Sequence, residues 1–365
     1  MIIVFPLHEN FFSPRCYECT RFARENEKTK NRIDQMSNEN EILNPASIRE
    51  LASSFQTSRI LLTALELNIF TVLDKHMLPA AEVAKKIEAD ERATDRLMNA
   101  LVALGFLRKI HGKFYNTESS SQFLVKGKPD FMGGLFHTNE LWKRWSTLTD
   151  AVKKGKSVYD GKNAADDATE SFIAAMHYRA IKEAKIISLM LDLSSVNKML
   201  DIGGGSGAFS MKFIEINQNM KAVVFDLPYV IPLTKKYVES FPLKERISYI
   251  TGNYLEDDFG SGYDLIFLSA IVHINSFDEN KRLIKKCYDA LNSGGQIIIK
   301  DWVMNEDRTF PASGAYFALN MLVGTRSGDT YTENEMKDWL LSAGIKKIEK
   351  KETSFASSLI IGWKN

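Results

Sequence analysis

Nothing in this 365-residue chain approaches the run of about 20 apolar residues that crossing a bilayer requires. Cysteine is scarce as well. Three in such a length cannot frame a disulfide scaffold, so a reducing compartment, the cytoplasm, is the expectation. Charge of either sign is nearly balanced: 47 Lys and Arg stand against 46 Asp and Glu, for a net +1. No global field therefore draws the chain to nucleic acid or to a membrane, and any basic surface must be local. The opening MIIVFPLHEN has no basic leader and is too short for the apolar core of a signal peptide. What is present is ordinary for a globular protein, and the length suggests two domains.

Cys16 and Cys19 form a lone C-x-x-C. A structural zinc site needs four ligands; only His8 lies nearby, and Cys287 falls in a distant helical pattern, so no metal is expected. Residues 1–35 are polar and poorly periodic, and read as an appended, mobile extension ahead of Met36.

From Pro45 the spacing of apolar residues becomes helical. A short helix after Pro79, a turn at Ala89-Asp90 and a helix from Arg92 to Leu104 follow, with Gly105 as its stop. FLRKI and KFYNT, joined by His111-Gly112, then read as a hairpin. Helix, turn, helix and two-stranded wing make a winged helix, here assigned to residues 36–150. Between Pro79 and Tyr115 seven Lys and Arg face five Asp and Glu, and Asp90, Glu91 and Asp95 sit where phosphates would approach a recognition helix. That footprint is too thin for DNA. Packing against a second copy is the better reading, with no nucleic acid or membrane partner.

A long amphipathic helix is expected from Ala168 to Leu193. After Lys198, short apolar strands alternate with helices, the pattern of a doubly wound parallel sheet, with IKKIEKKE and SSLIIGWK closing it as an antiparallel hairpin. The alternation predicts a helix over PYVIPLTKKYVESF with Pro228 near its first turn. It also predicts a helix over DENKRLIKKCYDALNSGG ended by its glycines, and a capping box at Thr332 and Glu335.

KMLDIGGGSGAFSMKF, residues 198–213, turns the first of these strands into a helix through four glycines. Such a loop lies at the ligand-binding edge of the sheet. Gly203, Gly205 and Ala208 fit a dinucleotide fingerprint. Three features point to another nucleoside. Asp201 just before the loop is badly placed for a pyrophosphate but suits an ammonium group. Asp226, followed by Leu227, ends the second strand where a carboxylate takes two ribose hydroxyls. Asn253 and Tyr254, after the third strand, offer an amide and a flat ring to an adenine. An adenosine with an ammonium-bearing tail is S-adenosylmethionine.

LDIGGGSGAF, VVFDLP, GNYLED, IFLSAIVHINSFDENKRLIKK and LNSGGQIIIKDWV, in this order, resemble the class I S-adenosylmethionine-dependent O-methyltransferases. The resemblance is to the branch with an N-terminal winged-helix dimerisation domain, which includes plant caffeate and hydroxyindole O-methyltransferases and bacterial relatives. It covers Asn44 to Lys364. It implies an α/β, Rossmann-like domain over 151–365 with strand order 3-2-1-4-5-7-6, a homodimer, and methyl transfer to a small molecule. His273 falls at the family's catalytic histidine, the general base, although Ile274 and Asn275 replace the usual Asp-Trp. Met176, in an F-x-x-x-M helix beside His177, and Phe317, Asn320 and Met321 fall at substrate-lining positions. Asp329, in the turn where relatives carry a glutamate, and Asp301 are both candidates to orient His273. Asn253 stands where the family has Asp.

The expected function is methyl transfer to a hydroxyl of a small aromatic metabolite. C- or N-methylation on the same scaffold is the alternative enzyme reading. A winged-helix regulator sensing an adenosyl ligand is the alternative from another class. An NAD-dependent dehydrogenase is disfavoured because no separate catalytic domain follows the loop.

Overall fold

The computed structural model describes residues 44–159 and 166–365. The expected extension over 1–35 and the Cys16–Cys19 pair lie outside the described residues. Arg49–Asn365 forms one compact unit.

In its N-terminal part, β1 (Leu78–Pro79), β2 (Leu107–Ile110) and β3 (Lys113–Asn116) form a three-stranded antiparallel sheet in the order β1-β3-β2. The wing thus gains a short third strand, with Leu78 opposite Phe114. His111 and Gly112 have φ of 48° and 75°, the two left-handed residues that a tight hairpin needs. Asp90 caps the helix Glu91–Ala103 by accepting from Ala93 N, and Gly105 follows that helix at φ 79°. Leu65, Phe70, Met98, Leu101, Leu107 and Phe114 bury their side chains together there.

The long helix runs Asp166–Met190 and delivers the chain to β4 (Lys198–Ile202). Then come β5 (Lys221–Asp226), β6 (Ile247–Thr251), β7 (Tyr263–Ser269), β8 (Leu291–Asp301), the short β9 (Val303–Met304) and β10 (Tyr331–Thr332), β11 (Lys347–Glu352) and β12 (Ser358–Trp363). Seven of these make one sheet ordered β11-β12-β8-β7-β4-β5-β6. Numbered within the sheet, that is 3-2-1-4-5-7-6 read from the other edge. The pairs from β6 to β8 are parallel; β12 is antiparallel to β8 and to β11. Neighbours along a strand point to opposite faces. Accordingly Leu200, Ile266 and Ile297 enter one core cluster and Met199, Leu265 and Ile298 the other. Both faces are covered, which is why the strands read as continuous apolar runs.

Two expected boundaries move. Pro228 lies in the turn before the helix Ile231–Val238, whose first turn is occupied instead by Pro232. The helix Phe277–Ala290 stops before the glycines: Leu291 is already extended and pairs with Tyr263, while Gly294 N donates to Lys364 O and Lys364 N donates to Gly295 O. The glycines therefore belong to an irregular strand entry. The Thr332–Glu335 capping box is present. No described helix is long and apolar enough to cross a membrane.

Candidate active site

The parallel strands bring the glycine loop, Asp226, the segment after β6 and the segment after β7 to one edge of the sheet. Gly203 and Gly205 have φ of 65° and 56°. A Cβ on Gly203 would collide with the Ile271 side chain, so the loop passes where only hydrogen fits. Asp226 braces it: Oδ2 accepts from Gly205 N and Oδ1 from Leu227 N, each at 2.8 Å. Burial pushes this carboxyl above its ordinary range, and the two N–H donors counter only part of that.

Asp201, expected to suit an ammonium group, lies at the end of β4 just before the loop. It is buried beneath the loop, its Oδ2 accepting from Ser210 Oγ at 2.6 Å. Burial, with the nearby Asp226 charge, raises it to about 6. Two crowded carboxylates under one loop make this end of the site favourable to a cation.

Asn253 Oδ1 accepts from Leu255 N at 3.1 Å, and its backbone N donates to Asp257. Tyr254 is half-buried against the core, its hydroxyl donating to Asn275 Oδ1 at 3.0 Å.

His273 sits in a short 3-10 turn after β7 and is only 7% exposed. Its Nδ1 lies 2.8 Å and 2.9 Å from the two oxygens of Asp301, at the end of β8. Asp301 also accepts from Trp302 N at 2.9 Å and His273 N at 3.4 Å. A carboxylate facing Nδ1 requires the proton on Nδ1 and leaves Nε2 with its lone pair. Of the two candidate orienters, Asp301 meets the ring. Asp329 meets only the backbone, donating its N–H to His273 O at 3.0 Å, while its carboxylate lies 3.5 Å from Arg308 Nη1. Gly328 comes so close that a Cβ would run into the His273 carbonyl oxygen.

An aromatic wall stands beside the imidazole. Phe317 meets it edge-on at 4.8 Å and stacks on Trp302 at 3.9 Å with 16° between planes. Phe317 comes from the helix Ala312–Gly324, which also carries Asn320 and Met321. Asn320 Oδ1 accepts from Trp145 Nε1 at 3.0 Å, and Met321 is buried. Met176 is half-buried on the helix Asp166–Met190, between Ile173, which faces Gly205, and Arg179, which lies over Trp302. On the same helix His177 Nδ1 is 2.8 Å from Ser206 Oγ in the glycine loop, and burial lowers its pKa.

Sequence reasoning passed over Trp302, Asn275, Ser206 and Arg179. The only signal for Trp302 was its position just beyond Asp301 at a strand end.

The model of an O-methyltransferase domain matches residues 145–346, and that of an O-methyltransferase dimerisation domain matches 49–126. A 3-hydroxy-5-methyl-1-naphthoate 3-O-methyltransferase of Streptomyces sahachiroi is 30% identical over 312 residues, 83% of this chain and 90% of that protein. Acetylserotonin O-methyltransferase of Gallus gallus is 26% identical over 88% of this chain and 97% of its own length. Among solved structures, human N-acetylserotonin methyltransferase in complex with SAM superposes with a TM-score of 0.74 at 25% identity, covering 89% of this chain and 99% of that one. PigF with SAH shares the fold, with a TM-score of 0.81 at 24% identity over 88% of this chain and all of the other.

Proposed function

The chain belongs to the O-methyltransferase family and is an S-adenosylmethionine-dependent enzyme, and from that premise we propose that it methylates a phenolic hydroxyl of a small aromatic acceptor with His273 as general base. The observation that carries this reading is the Asp301–His273 pair set against the Phe317–Trp302 stack.

S-adenosylmethionine supplies a methyl group already activated on a sulfonium. The residues suited to hold it are Gly203, Gly205, Asp226, Leu227, Asn253 and Tyr254, with Asp201 acting from beneath the loop. The fit rests on the glycine turn, which leaves room for close backbone approach, and on the paired carboxylates, which favour a cationic ligand. The remaining work falls to the protein. A phenol with pKa near 10 is mostly protonated at neutral pH. His273 Nε2 takes that proton and the oxygen keeps the pair that bonds to carbon; Asp301 holds the ring in the tautomer that can do so. Phe317, with Met176, Asn320 and Met321, confines the acceptor ring, and positioning of this kind is worth several kcal/mol of barrier.

The reading includes a homodimer through the dimerisation region and a division into 36–150 and 151–365. The naphthoate- and acetylserotonin-methylating relatives support a flat, hydroxylated acceptor. Calorimetric titration with S-adenosylhomocysteine, for the wild type and Asp226→Ala, tests the cofactor half. A screen of phenols with His273→Asn as the comparison tests the other. Turnover that survives in His273→Asn would overturn the base.

A further inference from the structure

Two cations and one carboxylate meet in a buried cluster that proton transfer does not use. Lys300 Nζ, on β8, is 2.5 Å from Glu183 Oε2, and both side chains are almost fully enclosed. The other oxygen of Glu183 accepts from Arg179 Nε at 2.6 Å, one turn earlier on the helix Asp166–Met190. Burial alone would raise the Glu183 carboxyl, but Lys300 and Arg179 outweigh it and hold the group below its ordinary range. One carboxylate is thus shared by two basic side chains; burial lowers the Lys300 ammonium from its ordinary value, and Glu183 counters only part of that. Arg179 is its accessible member, with 41% of its side chain exposed. Glu183 engages Arg179 through Nε, so the fork formed by its two Nη groups extends beyond that pair. The guanidinium carbon lies 5.2 Å from the centroid of the Trp302 ring.

Trp302 supplies an independent observation. It is 8% exposed, stacked on Phe317, and its Nε1–H has no hydrogen-bond partner among the described residues. Buried indole donors are ordinarily paired, because an unmade hydrogen bond leaves the desolvation of the donor uncompensated. Alternation at the end of β8 puts Lys300 on the face opposite Asp301, whose carboxylate is committed to His273, while Trp302, one residue past the strand, meets Arg179 and the His273 ring. A guanidinium fork and an orphan indole donor thus stand together at the acceptor wall, with no carboxylate among the described residues shown to answer both.

Resting on the reading of His273 as base and of Phe317 and Trp302 as acceptor wall, we propose that the acceptor carries a carboxylate on the ring system that bears its hydroxyl. Arg179 is the group that reads it, and Trp302 Nε1–H is a second donor. A guanidinium matches the two oxygens of a carboxylate through parallel N–H bonds, which a single lysine ammonium does not reproduce. Lys300 is a positioning residue: by occupying Glu183 it leaves the Arg179 charge available. An ester of the same acid keeps its shape and loses its charge, so charge recognition and aromatic packing can be separated.

The test is methyl transfer by the full chain on matched pairs, hydroxybenzoates and hydroxynaphthoates each beside its methyl ester. Wild type, Arg179→Gln, Arg179→Lys and Trp302→Phe are compared. The expected result is a preference for acid over ester of about tenfold or more in kcat/KM, expressed in KM. That ratio falls about tenfold in Arg179→Gln, recovers in part in Arg179→Lys, and falls by a smaller factor in Trp302→Phe. A ratio unchanged in Arg179→Gln, or a wild type that prefers esters, overturns the proposal. Should no pair be turned over, calorimetric binding of acid and ester to the protein saturated with S-adenosylhomocysteine supplies the same ratio; binding of neither overturns the proposal too. Titration with S-adenosylhomocysteine shows that each variant is folded, and Trp302→Phe decides if Arg179→Gln is not. His273→Asn separates the two ideas: retained turnover there sinks the base while the acid-to-ester ratio still judges Arg179.

Discussion

Tyr254 and Asn275 join the segment after β6 to the turn that carries His273: the Tyr254 hydroxyl donates to Asn275 Oδ1 at 3.0 Å, two residues beyond that histidine. Asn275 is held further by Asn280, whose Oδ1 accepts from its Nδ2, and by Tyr331, which donates to its carbonyl. Burial pushes the Tyr254 hydroxyl up to about 12, so it remains a neutral donor across the working pH range. Tyr254→Phe leaves the Asn275 oxygen without this donor. We expect a loss of about 1–3 kcal/mol in urea unfolding, with a several-fold fall in kcat.

His273→Asn removes the proposed base and keeps a polar side chain of similar reach. Turnover on a phenolic acceptor should fall about 10²–10⁴-fold. Affinity for S-adenosylhomocysteine, measured by calorimetry, should change little, since His273 is placed to act on the acceptor. Asp301→Asn should fall between that variant and the wild type. Its amide can still face Nδ1 with its oxygen, but its NH₂ then turns toward N–H groups that now donate to a carboxylate.

Asp201 makes stability depend on pH in an unusual direction for a carboxyl group. Its folded value of about 6 lies above the ordinary 3.8, so between those values the folded chain holds a proton that the unfolded chain has released. Stability from this residue therefore falls as pH rises through that window. Above it the full cost, on the order of 3 kcal/mol, is in place. Asp201→Asn still offers Ser210 an acceptor and carries no charge. In thermal melts the variant should gain on the wild type as pH rises from about 4 to about 6 and keep that margin above, and the two should converge near pH 4.

Lys300→Met takes one partner from a buried ion pair and leaves Glu183 with Arg179 alone. Removing one member of such a pair costs about 3–5 kcal/mol, whereas replacing both with apolar groups of like volume costs far less. Urea unfolding of Lys300→Met and of the double variant Lys300→Met, Glu183→Leu should show that order. If the single variant is as stable as the wild type, the cluster does not hold the helix to the sheet.

Much of the fold could be read in advance because its signals are local. The apolar strands, the His111-Gly112 turn and the Thr332 capping box each depend on a few adjacent residues whose chemistry allows little else. The strand order came with the family resemblance, and periodicity alone would not have supplied it. Boundaries slipped where a turn-forming residue had two possible uses. Gly294 and Gly295 serve a strand entry instead of a helix stop, and Pro228 precedes its helix while Pro232 starts it. The site was half legible. His273 stood out by position, but the carboxylate on its Nδ1 lies 28 residues away at the end of β8, and only the packing of that strand end against the turn distinguishes Asp301 from Asp329. Arg179 and Trp302 meet only across the packed helix and sheet, a relation that no spacing within either segment records.

One helix touches both halves of this site: through His177 it meets Ser206 of the glycine loop, and through Arg179 it meets the acceptor wall at Trp302. A ligand that steadies one end of a stiff element lessens the ordering that the other ligand must still impose. Occupancy of the two subsites should then be linked, and linkage is reciprocal: whatever factor the bound nucleoside adds to the acceptor's affinity, the acceptor returns to the nucleoside. The enzyme would favour a filled pair over either ligand alone, and the shared helix is what makes that cooperation physical.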